Sequence, residues 1–469
     1  MVRRFLKAAA PLAMLVCAAM APNPGGSTVA ATYTAAYATY THRIPSFARK
    51  YNLPCSACHT AWPELNAFGQ AFRDNGYQMM NDRDSPIWQN PSYIPVTFRV
   101  TPNWHREGAT KQPVDPTPGV PSCVSATGVG CVPRTLMQSG FDLSGMDLWT
   151  AGTIYKNISF VLLPSADANA SFHFEAAFVR FDNLADNRWV NLKVGKFELD
   201  NLISEKRFLF LSGNGGVYQS YHFLPAGDAN DFGLGDNQIG AELSGHSQNS
   251  YTRYGVALLS TSSGNPGLVS SNAYDTYLTF SHAIDAGKLG VERLGVYAYL
   301  GRRPTYFQTT DSGAAIPGTG TGNKPFYRVG LSGDFFFGDF ELLPLVMHAS
   351  DDKYLANATP SNGTLPAGAQ AATWNAGFLE AHYYVSPQLV FTGRFETVRM
   401  AQQAISGTQK NLGDVDAFSG GVRWYPIMFS RAGLSWHTEI SAVRMQGSVF
   451  AGSDRVWATS VFSGLDFDF

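Results

Sequence analysis

From Tyr93 to Phe469 the chain keeps one period: segments of about 8 to 14 residues alternate apolar and polar side chains, with turn-rich stretches between them. A period of two sends successive side chains to opposite faces, so each segment reads as a strand with one apolar and one polar face. In Gln388 to Glu396, Leu389, Phe391 and Phe395 share one face while Gln388, Thr392, Arg394 and Glu396 share the other. Ser171 to Phe178 repeats the pattern, with Phe172, Phe174 and Phe178 opposite His173 and Glu175, and Asn375 to Tyr383 repeats it around Glu380 and His382.

Sixteen such strands are expected, starting near residues 94, 141, 158, 170, 187, 236, 251, 272, 292, 325, 338, 373, 387, 412, 430 and 455. An even number suits a closed antiparallel barrel. Long connections at 105–140, 198–235, 303–324 and 350–372 interleave with tight turns at Lys156-Asn157, Gly338 and Ser386-Pro387. That asymmetry is the topology of outer-membrane barrels, with short periplasmic turns and long outside loops. Phe335-Phe336-Phe337, Tyr383-Tyr384 and Trp424-Tyr425 stand beside tight turns, where an interfacial girdle places its rings. The final strand puts Val461, Leu465, Phe467 and Phe469 on one face. A soluble β-sandwich also alternates, but its apolar faces pack on a second sheet and give loop lengths no reason to alternate. In loop 198–235 the apolar run Leu199 to Leu211, interrupted by Glu205, Lys206 and Arg207, is expected to fold inward and narrow the lumen.

Charged residues make up only 15% of the 469 residues, against roughly 25% in soluble domains. The net charge of −2 leaves no basic excess for nucleic-acid phosphates. The apolar run Ala8 to Ala21 is shorter than the ~20 residues of a spanning helix. Preceded by Arg3, Arg4 and Lys7, it reads as the core of a signal peptide over residues 1–31. Small-residue sites at Ala19-Met20-Ala21, Val29-Ala30-Ala31 and Ala36-Tyr37-Ala38 leave the cleavage bond open between 21 and 38. Residues 42–92 form a small unit with one amphipathic helix: Pro63 early, Leu65, Phe68 and Phe72 on one face, Gly76 after its end. The expectation is a mainly β protein, a sixteen-stranded transmembrane barrel over 93–469 behind a small helical domain over 42–92.

Five cysteines occur, and Cys17 belongs to the leader. Cys55-Ser56-Ala57-Cys58-His59 is the C-x-x-C-H pattern of covalent haem c attachment: two thiols reach neighbouring vinyl groups and the next residue offers its imidazole to iron. A thioredoxin-like motif would need a βαβ unit, and zinc would need further close ligands; neither is present. His59 is therefore the expected proximal ligand. For the sixth iron position Met80, Met79 and His42 are candidates beside an open site, and a thioether is preferred because it raises the haem potential. Cys123 and Cys131, among Pro, Gly and Ser, suit a loop disulfide. Asp228, Asp231, Asp236, Asp351 and Asp352 offer carboxylates to a hard cation, but the solvated-loop reading is preferred.

Ile44-Pro45-Ser46-Phe47-Ala48-Arg49, Cys55 to His59, Trp62-Pro63-Glu64-Leu65-Asn66, Phe68-Gly69 and Asn75-Gly76-Tyr77 together form a block. It resembles the cytochrome segment of the fused monohaem cytochrome–porins of the bacterial outer membrane, best known as ferrous-iron oxidases. Val194-Gly195-Lys196-Phe197 adds a barrel phrase. The resemblance implies a haem domain that plugs or lines the barrel, extracellular Fe(II) as electron donor and a periplasmic c-type cytochrome as acceptor. Dimensions agree, since one haem cannot bridge a hydrocarbon core about 30 Å thick unless it sits within the barrel, entered here from the periplasmic side. The rival reading is a diffusion porin whose haem domain is a plug, gate or sensor.

Overall fold

The computed structural model describes residues 46–51, 53–61, 64–79, 96–116, 131–166, 172–200, 210–212, 214–225, 230–269, 273–305, 322–356, 365, 367–402, 414–428, 433–446 and 455–468. Of the two units into which the chain divides, Met1–Tyr40 lies wholly outside these residues, as do the expected leader and its cleavage window. Everything below belongs to Thr41–Phe469.

Sixteen antiparallel strands close into a barrel. After a two-stranded ribbon, β1 (His59–Ala61) and β2 (Glu64–Leu65), they are β3 (Val96–Val114), β4 (Val132–Tyr155), β5 (Ile158–Ala166), β6 (Phe172–Phe181), β7 (Asn191–Phe197), β8 (Gln238–His246), β9 (Thr252–Ser260) and β10 (Tyr274–Asp285). The circuit continues through β11 (Val291–Pro304), β12 (Asn323–Phe337), β13 (Phe340–Asp351), β14 (Ala372–Ser386), β15 (Leu389–Gln402), β16 (Val415–Met428), β17 (Gly433–Gln446) and β18 (Arg455–Asp468). Each strand pairs with its sequence neighbour, and β18 returns to β3, with Phe467 opposite Val100 and Phe462 opposite His105. No helix among the described residues is long and apolar enough to cross a membrane.

One expected boundary is corrected. The second barrel strand begins at Val132 rather than near 141, and β3 runs to Val114, so the first long loop shrinks to 115–131. The ladder continues here through Ala109 opposite Leu136 and Gln112 opposite Arg134, with an irregularity between them at which Lys111 takes φ 54°. A bulge breaks the two-residue period while leaving the strands paired, and that hid them in the sequence. A second bulge, between Leu163 and Pro164 opposite β6, separates Phe172 and Phe174, 78% and 51% exposed, from Phe178, which turns into the lumen. The sequence had placed all three on one face.

The outer face is apolar. Val256, Leu258, Phe280, Leu294, Val296, Leu331 and Val346 are exposed across five successive strands, a surface that water disfavours and lipid solvates. Inward, Asp275, Arg328, Glu341, Glu380, His382, Arg394, Glu396, Arg423 and Glu439 are all buried. The aromatic clusters divide in the same way: Tyr383 and Trp424 face out, whereas Tyr384 and Tyr425 face in. Phe469 lies outside the described residues.

The lumen is not empty. In the connection after β7 the described residues from 210 onward fold inward: Leu211 and Ser212 donate their N–H groups to Glu439 at 2.6 and 2.7 Å, and Ser220 N donates to Glu396 at 3.2 Å. Residues 201–209 of the expected apolar run, with Glu205, Lys206 and Arg207, lie outside the described residues. From the short-turn end, residues 46–79 enter with α1 (Ser46–Tyr51), the ribbon and α2 (Ala67–Asp74). Helix α2 starts at Ala67 behind an Asn66 cap, not near Pro63, because Glu64 and Leu65 are already paired in β2. Gly76 follows it at φ 77°, as a helix terminator does.

Candidate cofactor-binding site

Pro54 precedes a 3-10 turn over Cys55–Ala57 that bends the motif back on itself; Ala57 N donates to Pro54 O at 3.0 Å and Cys58 N to Cys55 O at 3.1 Å. Asn66 then ties this turn to α2. Its Nδ2 donates to Ser56 O at 3.2 Å and Ala57 O at 3.1 Å, its N–H donates to Cys58 O at 2.9 Å, and its Oδ1 caps Gly69 N at 2.9 Å. Gly69 lies so close beneath that any Cβ there would run into the Cys58 carbonyl. Only glycine lets α2 carry the motif at this distance.

His59 leaves the turn on β1, and its Nδ1 lies 3.1 Å from Glu64 O. With Nδ1 as donor, Nε2 is the basic nitrogen, the arrangement in which a backbone carbonyl orients a metal-binding imidazole.

Cys55, Cys58 and His59 all line one cavity of about 490 Å³, inside the ~300–1,000 Å³ range of small-molecule and cofactor sites. The plug supplies Phe47, Phe72 and Tyr77 to its wall, and the barrel supplies Val161, Leu163 and Phe178. Phe47 stacks on Tyr77 with ring centres 5.2 Å apart. Neither cysteine is in a disulfide. Burial, with Cys55 beside it, pushes the Cys58 thiol up to about 11, opposite to the depressed thiol of a redox-exchanging pair. Two thiols on one turn, one oriented imidazole beside them and a wall that includes Phe47, Phe72, Tyr77 and Phe178 fit haem c.

Of the sixth-ligand candidates, Met79 is half-buried and is not among the residues that line the cavity, while Met80 and His42 lie outside the described residues. The sequence reading passed over His246, at the end of β8. It lines the cavity, is 5% exposed, and has an Nε2 without a hydrogen-bond partner among the described residues. Its only signal in the sequence is its place on a lumen strand.

Charged side chains dock the plug. Asp74 accepts two hydrogen bonds from Arg253, at 2.8 and 3.1 Å, and one from Gln70 at 2.8 Å. Arg180 donates to the carbonyls of Arg73 and Asp74 at 2.7 and 3.1 Å, Arg73 pairs with Asp200 at 2.9 Å, and Gln78 donates to Lys156 O at 2.7 Å. Burial alone would raise the Asp74 carboxyl, but Arg253, Arg73 and His246 outweigh it and hold the group below the usual carboxylate range. At the plug's other edge Tyr384 donates to Glu64 at 3.0 Å.

Cys131 is disulfide-bonded, and Cys123 lies outside the described residues. The loop aspartates do not gather into a cation site: Asp351 belongs to β13 and pairs with Arg328 at 2.6 Å, Asp231 and Asp236 are exposed, and Asp228 lies outside the described residues.

No family model and no curated protein matches the chain. Solved structures similar to it include an anion-selective porin from Comamonas acidovorans, at 11% identity over 80% of this chain and 99% of that one, with a TM-score of 0.48. OmpT, an outer membrane protein of Vibrio cholerae, is similar at 11% identity over 80% and 97%, TM-score 0.43. Salmonella typhi OmpF is similar at 11% identity over 79% and 96%, TM-score 0.43.

Proposed function

We propose that this chain is an outer-membrane electron-transfer protein: it carries one haem c on Cys55, Cys58 and His59, accepts electrons from extracellular Fe(II) and passes them to a periplasmic c-type cytochrome. The observation that carries this reading is that both thiols and the anchored imidazole line one cavity enclosed by the barrel wall. Bound there, haem supplies one-electron redox chemistry. The chain's own residues do the rest: Asn66 and Gly69 set the attachment turn, Glu64 orients His59, and Arg253 and Arg180 hold the segment against the wall. The exposed apolar belt supports an outer-membrane location, and the loop lengths support periplasmic short turns, so that the plug enters from the periplasm.

Closure of the sixteen strands favours a second reading, a diffusion porin with a haem plug or gate. The filled lumen weighs against it. Stopped-flow mixing of the oxidised protein with anaerobic Fe(II), with the haem midpoint potential measured in parallel, separates the two. Rapid appearance of the reduced haem bands is expected. Absence of reduction by external Fe(II), with steady solute conductance in planar bilayers, overturns the electron-transfer reading.

A further inference from the structure

Glu64 does two things at once. Its backbone carbonyl holds His59, and its side chain enters the barrel wall, where it meets Glu341 of β13 with His382 and Tyr384 of β14. His382 Nδ1 lies 3.2 Å from Glu64 Oε2 and 2.9 Å from Glu341 Oε2, and Tyr384 Oη contacts both carboxylates. One ligand atom from each of Glu64, Glu341 and His382 falls within 4.8 Å of the others. Glu64 is 7% exposed, and Glu341 and His382 are fully buried.

The polarity of the imidazole is the first argument. His382 Nε2 lies 2.7 Å from Glu380 Oε1, and Glu380 is in turn held by Arg394 at 3.2 Å. A ring that donates Nε2–H to a carboxylate turns its Nδ1 lone pair toward two further carboxylate oxygens. Three lone-pair atoms then converge, with one phenolic hydrogen between them. This is the carboxylate–histidine–metal arrangement, complete except for the cation. The charge balance agrees: the one guanidinium at the cluster, Arg394, is shared by Glu380 and Glu396, and among the described residues Glu64 and Glu341 pair with no Lys or Arg, only with His382. A third observation is independent of both. Glu341 Oε1 is buried without a hydrogen-bond partner among the described residues, an acceptor left unmatched in a protein interior.

We propose that Glu64, Glu341 and His382 bind one divalent transition cation, Fe(II) being the occupant that two carboxylates and an imidazole suit. Naming that cation as an electron donor rests on the haem proposed above and on Fe(II) reaching the short-turn end of the lumen, where Glu341 and Tyr384 stand; the cation site itself does not. With haem held at Cys55, Cys58 and His59, Fe(II) at this site would give up one electron, becoming Fe(III) on its ligands, and ferric haem iron would become ferrous. No proton, oxidant or further reactant enters. Glu64 spans the interval, ligating through its carboxylate and touching the proximal imidazole through its carbonyl.

The rival occupant is a proton on His382, which would make the cluster a plain staple between plug and wall. The test uses the full-length protein in detergent, stripped with a chelator and titrated with Mn²⁺ while free Mn²⁺ is followed by its paramagnetic resonance. One Mn²⁺ per chain is expected, displaced by Fe(II) without oxygen. Glu341→Gln and His382→Gln should weaken it at least tenfold while retaining heat-modifiable barrel mobility, and Asp142→Asn, at an exposed carboxylate of β4, should leave it unchanged. If the barrel variants fail to fold, Glu64→Gln, which changes only the plug, decides: loss of Mn²⁺ supports the site and retention overturns it. Absence of a stoichiometric Mn²⁺, or undiminished binding in the folded variants, means that only a proton is held there. Protein that binds Mn²⁺ but whose haem Fe(II) does not reduce keeps the cation site and loses the donor reading; protein reduced normally without the site loses this proposal alone.

Discussion

At the long-loop end of the barrel the connection after β7 adds ring packing to its hydrogen bonds with Glu439 and Glu396: Phe232 lies 4.0 Å centre to centre from Tyr299, Tyr218 stacks on Phe378 at 4.4 Å, and Phe223 meets Trp374 at 5.3 Å. At the short-turn end, ions hold residues 46–79, through Asp74 with Arg253, Arg73 with Asp200, and Arg180 against the end of α2. Apolar contact is tolerant of direction, so it suits a loop that has only to fill space. Bidentate ion pairs fix orientation, which suits the proposed function, in which two thiols and one imidazole would meet a rigid planar group at set angles.

Removing the thiols gives the sharpest break between the two fillings. Cys55→Ser with Cys58→Ser should abolish covalently retained haem on a stained gel while barrel mobility stays native, because no strand depends on the motif for its pairing. Covalent haem that survives both changes would sink the attachment assignment. Next in size is Arg253→Ala, which leaves Asp74 buried without its guanidinium partner and should cost about 3–5 kcal/mol of docking, read as new protease cleavage within 46–79. The ring-packed loop should respond less to a loss of shape: Phe232→Leu should cost under about 1.5 kcal/mol and leave those cleavage sites protected. If the two variants open the plug equally, the contrast between ionic and apolar filling is wrong.

Gly69→Ala falls between these in size, at about 1–3 kcal/mol of overpacking. Its effect should appear as lowered haem occupancy, because the methyl group displaces the Cys58 carbonyl and with it the attachment turn. Acid should have the smallest effect. A carboxyl held below its ordinary value contributes stability above the unfolded pKa of about 3.9, and that contribution is lost only as pH falls through the lower folded value. Lowering the pH from 7 to about 4 should therefore leave the plug as protected from protease as before; cleavage appearing near pH 5 would mean that Asp74 is not held as described.

The barrel was legible because lipid outside and charge inside impose alternation directly on side chains: Phe391 out, Arg394 and Glu396 in, as the sequence reads. It failed where backbone geometry changes without a change of composition, at the bulges opposite Leu163 and at Lys111. The spacing of Cys55 to His59 is local, so haem-attachment chemistry can be proposed from it without the fold. The motif's surroundings were not legible. Glu64 and His382 are 318 residues apart in the chain, and only closure of the barrel brings them to 3.2 Å. Likewise His246 gains its place on the cavity wall from strand register, which no short window of sequence encodes.

The seam between β18 and β3 joins the two ends of the barrel, so pairs such as Thr459 with Gly108 form only when the final strand has arrived. The insert 46–79 precedes the whole barrel in the chain, and it lies inside the finished ring. Synthesis therefore delivers the contents first and the lid of the circuit last. A ring sealed by its own ends admits a folded insert freely only before sealing; afterwards the cavity beside Cys55 can be reached only along the lumen. On the proposed function, attachment of haem at Cys55 and Cys58 is accordingly expected before the seam between β18 and β3 closes.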